Sequence, residues 1–243
     1  MNLTPAHRIF VALDTTDLDR SLELARGLKG LVGGMKIGKE FFTSLGPEGV
    51  RRIQEVQMPI FLDLKFHDIP NTVAGAVHAA IPLRPAILNV HAAGGRAMME
   101  AARDASAAES HRLGVQKPLV LAVTVLTSMD ADDLADIGVG GRSVDQVKRL
   151  AALAQESGLD GVVCSANEIG PLRDQCGPTF KLLTPGIRPA WAVAGDQKRV
   201  MTPGAAVMRG SDYLVIGRPI TMADDPAEAA RRIGMELTNA GQS

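Results

Sequence analysis

The chain has 243 residues, 46% of them hydrophobic and 22% charged, with a formal net charge of −1. That composition describes a globular protein able to bury its own core, and the balanced charge argues against a nucleic-acid or anionic-membrane partner. Cys164 and Cys176 form neither a disulfide framework nor a metal spacing, "MNLTPAHRIF" lacks the apolar stretch of a signal peptide, and no run approaches the roughly 18 apolar residues of a membrane span; the expected location is the cytoplasm.

The first strand is read at 8–13, "RIFVAL", and runs into Asp14. Asp17 and Asp19 give the helix at 18–29 an acidic first turn. A strand at 33–37, "GGMKI", carries Lys36 and is followed by a helical pattern over 39–57. The third strand, 60–65, "IFLDLK", carries Asp63 and Lys65, and a helix follows at 71–80. The strand at 87–91, "ILNVH", ends on His91 before a helix at 95–110. The fifth strand, 119–126, "LVLAVTVL", reaches Thr127, and the next helix is read at 143–157. The sixth, 161–165, "GVVCS", reaches Ser165 before a helix at 167–175. The seventh, 181–184, "KLLT", runs into Pro185-Gly186-Ile187-Arg188, with a helix at 203–209. The eighth, 213–217, "YLVIG", runs into Arg218, and Pro226 opens a last helix over 226–238.

Several of these strands are apolar throughout, as parallel strands covered on both faces are. Eight βα units in this length predict an α/β fold of one domain, a closed (β/α)₈ TIM barrel spanning 1–243 with its core at about 8–238. A doubly wound open sheet would need dinucleotide-binding glycines after the first strand, and "ALDTTD" has none. The longest irregular stretches fall at about 127–142 and 186–202.

In such barrels the active site lies where the strands end. Taken singly, Asp14 also suits a turn, Lys36 a solvent edge and His91 a hydrogen-bonded structural role; what they share is their position. Asp63 and Lys65 are two residues apart and so face one side of an ideal strand, with Leu62 and Leu64 on the other. Lys36 from the neighbouring strand joins them at the mouth. Opposite charges about 4 Å apart attract by about 4 kcal/mol at an effective dielectric near 20, so an alternating array can stay ionised. Such an array can orient hydroxyls, deliver a proton or hold a metal. Two lysines beside these carboxylates argue against a divalent ion, which favours more oxygen ligands. The loops after the seventh and eighth strands suit a phosphate: Gly217 admits close backbone approach, Arg188 and Arg218 are forked cations, and Gln197, Gly186 and Gly195 lie in the longer loop.

"FLDLKFHDIPNTV" resembles the D-x-K-x-x-D-I-P-x-T signature of the orotidine 5′-phosphate decarboxylase family. "FVALD", "MKIGKEFF", "NVHAAGG", "VTVLTSM", "LTPGIRP", "GDQKR" and "VIGRPI" resemble that family's blocks in the same order, over about residues 8 to 235. The resemblance implies decarboxylation of orotidine 5′-phosphate to UMP and CO₂, in pyrimidine synthesis, without metal or cofactor. It implies a homodimer with shared sites, in which Lys36, Asp63 and Lys65 come from one subunit and Asp68 and Thr72 from the other. By the same resemblance Lys65 protonates C6, and Asp14 and Lys36 hold ribose hydroxyls. Thr127 lies near the base. Arg188, Gln197, Gly217 and Arg218 hold the phosphate, and the 188–199 loop closes over it. Two rival readings are a magnesium-dependent sugar-phosphate lyase or aldolase on the same barrel, and a nucleotide-binding barrel without catalysis.

Overall fold

The computed structural model describes residues 5–192 and 201–240, and its eight parallel strands close into one barrel. A 3₁₀ turn, Pro5–Arg8, leads into β1 (Ile9–Ala12), α1 (Leu18–Leu28), β2 (Gly34–Ile37), α2 (Lys39–Gln54), β3 (Ile60–Phe66) and α3 (Pro70–Ala80). The chain continues through β4 (Ile87–His91), α4 (Arg96–Leu113), β5 (Leu119–Val123), α5 (Ala131–Asp136), α6 (Ser143–Glu156), β6 (Gly161–Val163) and α7 (Ile169–Cys176). It finishes with β7 (Lys181–Thr184), α8 (Pro203–Met208), β8 (Tyr213–Ile216), α9 (Arg218–Thr221) and α10 (Pro226–Ala240). Each strand pairs with the next, and β8 closes on β1 from Ile9↔Leu214 to Val11↔Ile216.

Strand neighbours point to opposite faces, so the apolar residues divide between two cores. Ile9, Val11, Leu62, Leu88 and Val90 belong to the outer core beneath the helices. Phe10, Phe61, Ile87, Leu121, Val163 and Leu183 fill the barrel interior. Phe10 meets Phe61 and Tyr213 edge to face, with centroids 6.3 and 5.8 Å away, an arrangement that ring quadrupoles favour. Two residues further toward the strand ends the interior changes character. Gly34 is succeeded by Lys36, Phe61 by Asp63 and Ile87 by Asn89. The barrel is apolar at depth and charged at its mouth.

All eight strands lie where the sequence places them to within a residue at each end, except β5 and β6, which stop three and two residues early. β5 stops at Val123, and Thr127 falls four residues later in a turn closed by Met129 N–H to Leu126 C=O at 2.9 Å. β6 stops at Val163, and Ser165 precedes a 3₁₀ turn, its N–H donating to the Glu168 carboxylate at 2.8 Å. The stretch expected to be irregular at 127–142 contains α5. Asp130 caps it by accepting from the N–H groups of Asp132 and Asp133, while Asp133 accepts from the Asp130 N–H. Such reciprocal caps satisfy the otherwise unpaired first donors of a helix.

Candidate active site

β1, β2 and β3 bring four charges into one row. The Lys36 ammonium lies 2.6 Å from Asp14 Oδ1 and 3.8 Å from Asp63 Oδ2. The Lys65 ammonium lies 2.6 Å from Asp63 Oδ1. Signs alternate along Asp14–Lys36–Asp63–Lys65. The Lys36 side chain is 8% exposed and that of Asp63 14%, so both have left most of their water behind. An ion that deep is tolerated only when partners replace its hydration, and each of these two has a partner on either side.

Gly38, just past β2, makes the first pair fit. A Cβ there would stand 2.9 Å from Lys36 Nζ and 3.2 Å from Asp14 Oδ1. No side chain larger than hydrogen leaves both groups in place.

The pairing of Asp63 with Lys65 has a different cause from ideal strand alternation. β3 and β4 are in register at Leu62↔Leu88, and the next pair is Phe66↔Val90. β3 therefore spends four residues where β4 spends two, and Asp63, Leu64 and Lys65 sit in the bulge. Lys65 has φ +54, a left-handed conformation uncommon for a residue with a side chain. Bulges of this kind re-aim side chains beside active sites.

The barrel mouth continues into two cavities. One of about 540 Å³ is lined by Asp14, Thr15, Arg20, Gly217, Arg218 and Thr221. The other, about 700 Å³, is lined by Arg188, Trp191, Ala192, Arg218, Pro219 and Met222. Arg218 and Met222 border both. The charged row and the first cavity meet at Asp14, whereas Lys36, Asp63 and Lys65 stand outside its lining. Arg188 is buried and its N–H donates to Met201 C=O at 3.1 Å, which draws together the two ends of the long loop after β7. The Arg232 guanidinium of α10 packs over the Trp191 ring at 4.4 Å and fixes the same stem. Gln197 and Gly195 lie outside the described residues, as does most of the 188–199 loop.

Asp68 and Thr72 do not join the row within the chain. Both are exposed, and Asp68 Oδ1 accepts from the Ile69 N–H at 2.6 Å, at the start of α3. Thr127 is half-buried beyond β5. His91 ends β4 with its ring 5.3 Å from that of His67. Burial, with the nearby His67, Lys39 and Lys65, pushes the His91 imidazole down to about 4 against the opposing pull of Asp63, so it is neutral at neutral pH. Among the described residues no group of three or more His, Cys, Asp or Glu stands together to hold a metal ion, and no helix is long and apolar enough to cross a membrane.

Two residues escaped the sequence reading. Gly38 gave no signal beyond following a strand. Asn89 gave one: an amide on the inward-facing alternation of an otherwise apolar strand must be hydrogen-bonded. It is fully buried beside the row.

A closed (β/α)₈ barrel with paired charges and arginine-lined cavities at the C-terminal ends of its strands defines a barrel enzyme of small, anionic substrates. Comparison with known proteins makes the class specific. The model of the orotidine 5′-phosphate decarboxylase / HUMPS family matches residues 7–233. The chain is 58% identical to an orotidine 5′-phosphate decarboxylase of Rhodospirillum rubrum, over 94% of this chain and 93% of the relative. It is 51% identical to one from Moorella thermoacetica, over 95% and 92%. A crystal structure of the Lactobacillus acidophilus orotidine 5′-phosphate decarboxylase superposes with a TM-score of 0.84 at 37% identity, covering 94% of this chain and 98% of that one. The chain belongs to the orotidine 5′-phosphate decarboxylase / HUMPS family.

Proposed function

We propose that Lys65 is the acid of a cofactor-independent decarboxylation of orotidine 5′-phosphate, at a site completed by a second copy of the chain. The enzyme is a carboxy-lyase of pyrimidine nucleotide synthesis, as the identity with named orotidine 5′-phosphate decarboxylases supports. Its substrate is the nucleotide and its products are UMP and CO₂. The observation that carries the mechanism is the Asp14–Lys36–Asp63–Lys65 row.

Breaking the bond from C6 to the carboxylate leaves the electron pair on C6, in the ring plane, where no adjacent π system spreads it. Stabilisation must then come from fixed charge placed where the anion develops. The Lys65 ammonium supplies that charge. Its proton passes to C6 to give UMP, and the amine regains a proton from solvent. Asp63 holds Lys65 beside C6 and stands near the departing carboxylate. Asp14 and Lys36 hold the ribose hydroxyls, and Thr127 borders the base. Arg188, Gln197, Gly217 and Arg218 hold the phosphate, which gives binding energy far from the reacting carbon to position it.

The second copy would supply Asp68 and Thr72. Their exposure at the start of α3, beside an Ile69 that is 66% exposed, supports a surface covered by a partner. Asp68 would then extend the alternation of signs past Lys65. A pyrimidine-pathway enzyme of this kind works in the cytoplasm.

The test is the ultraviolet absorbance of orotidylate mixed with the enzyme in EDTA. A steady fall, equal with and without the chelator, is expected. Loss of the fall in EDTA would overturn the metal-free reading, no fall at all without UMP binding would favour a sugar-phosphate enzyme, and UMP binding without any fall would favour a binding protein.

A further inference from the structure

The bulge in β3 leaves a problem that ordinary sheet pairing does not solve. Between Leu62 and Phe66 the backbone is out of step with β4, so peptide groups of the bulge fall out of the regular β3–β4 ladder. A buried N–H without a partner costs about 1–3 kcal/mol. The Lys65 N–H is one of these groups, on a residue already held at φ +54.

Asn89, from the middle of β4, supplies the missing partner. The Lys65 N–H donates to Asn89 Oδ1 at 2.8 Å. On its other side, Asn89 Nδ2 donates to Asp63 Oδ1 at 2.7 Å. The orientation of the amide follows from chemistry: one neighbour is a donor and the other a carboxylate, so only one assignment satisfies both. Asp63 Oδ1 is also the oxygen that takes the Lys65 ammonium at 2.6 Å. One side chain, completely buried, thus grips Lys65 by its backbone and Asp63 by its carboxylate.

We propose that Asn89 is a positioning residue of the reaction: it fixes the β3 bulge so that the Lys65 ammonium and the Asp63 carboxylate keep their places while C6 changes charge. This rests on the role given above to Lys65. Asn89 lies below the mouth and touches the charged row from beneath. Its loss should therefore weaken the chemical step and spare the binding of the phosphate and ribose, whose partners stand on other strands.

Asn89→Leu removes both hydrogen bonds while keeping the same branched skeleton of heavy atoms. The expected result is a kcat more than 10-fold lower per UMP-binding site, with KM and UMP affinity within about threefold of the original. An unchanged kcat per UMP-binding site overturns the proposal, even if fewer molecules fold. Asn89→Asp gives a second reading that does not depend on a large change of shape. It keeps the acceptor for the Lys65 N–H but meets Asp63 with a carboxyl group, which can donate only while protonated. Its kcat relative to the original enzyme should therefore rise as pH falls, and a ratio independent of pH overturns the proposal. Lys65→Ala is assayed alongside. If Lys65→Ala turns over normally, the reading of the site itself has failed; if only the Asn89 variants do, Lys65 keeps its role and Asn89 loses the one proposed.

Discussion

Lys65 and Asp63 form an ion pair at 2.6 Å across a strand that does not keep its pleat between them. In an ideal strand, residues two apart share a face by geometry alone. Here the left-handed backbone of Lys65 intervenes, and the pair is held by side-chain bonds instead. Strain of this kind costs of order 1–3 kcal/mol and persists only where the surroundings over-determine it. At this position it aims an ammonium group across the barrel mouth.

Gly38→Ala tests how tightly the row is set. The new methyl would come within 2.9 Å of Lys36 Nζ. Lys36 is flexible at that end, so the fold should survive with little change in Tm. Its ammonium must nevertheless shift from its place between Asp14 and Asp63. A misplacement of about 1 Å near reacting groups can cost about 100-fold, so kcat/KM should fall by about 10- to 100-fold. Steady-state kinetics beside thermal denaturation checks this, and an unchanged kcat/KM would mean that Lys36 need not stand where it does.

His91 makes stability depend on pH with a definite sign. Its imidazole is pushed down to about 4 in the folded chain, from an ordinary 6.5. Between those values the unfolded chain takes up a proton that the folded chain refuses. The contribution of neutral His91 is complete above about 6.5, is lost as pH falls toward about 4, and changes no further below. His91→Asn should therefore lose less stability than the original between these limits, as chemical denaturation at several pH values would show. An NMR titration placing the His91 midpoint near 6.5 would contradict the burial argument.

The barrel was legible in the sequence because each strand is a short β-branched run bounded by a helix signal. The eight strand ends could be aligned and their polar residues compared. Asp14, Lys36, Asp63 and Lys65 emerged that way, and the structure brings them together. Other features were hidden for physical reasons. The β3 bulge has no glycine to mark its left-handed residue; Lys65 adopts that conformation under tertiary constraint. Asn89 looked like one polar interruption in "ILNVH", because its partners lie 24 and 26 residues away in sequence. The α5 helix is too short for a periodic stripe, though its cap at Asp130 could be read in "MDADD".

Sharing of the site between two copies can be tested by mixing inactive subunits. Lys65→Ala chains carry an intact Asp68, and Asp68→Ala chains carry an intact Lys65. Exchange should produce hybrid dimers in which one of two sites has both residues. Activity should rise from near zero toward about a quarter of the original enzyme, since random pairing makes about half the dimers hybrid. No recovery after exchange is confirmed by mass spectrometry would place Asp68 and Lys65 in one polypeptide's site.

The most direct test of the whole account is turnover by Lys65→Ala. The variant keeps the Asp14–Lys36–Asp63 pairs and the arginines of the cavities, so it should bind UMP with an affinity close to the original. It should consume orotidylate at no measurable rate, because no ammonium faces C6. Retained UMP binding with near-normal kcat would contradict the claim that Lys65 stabilises and protonates the ring anion.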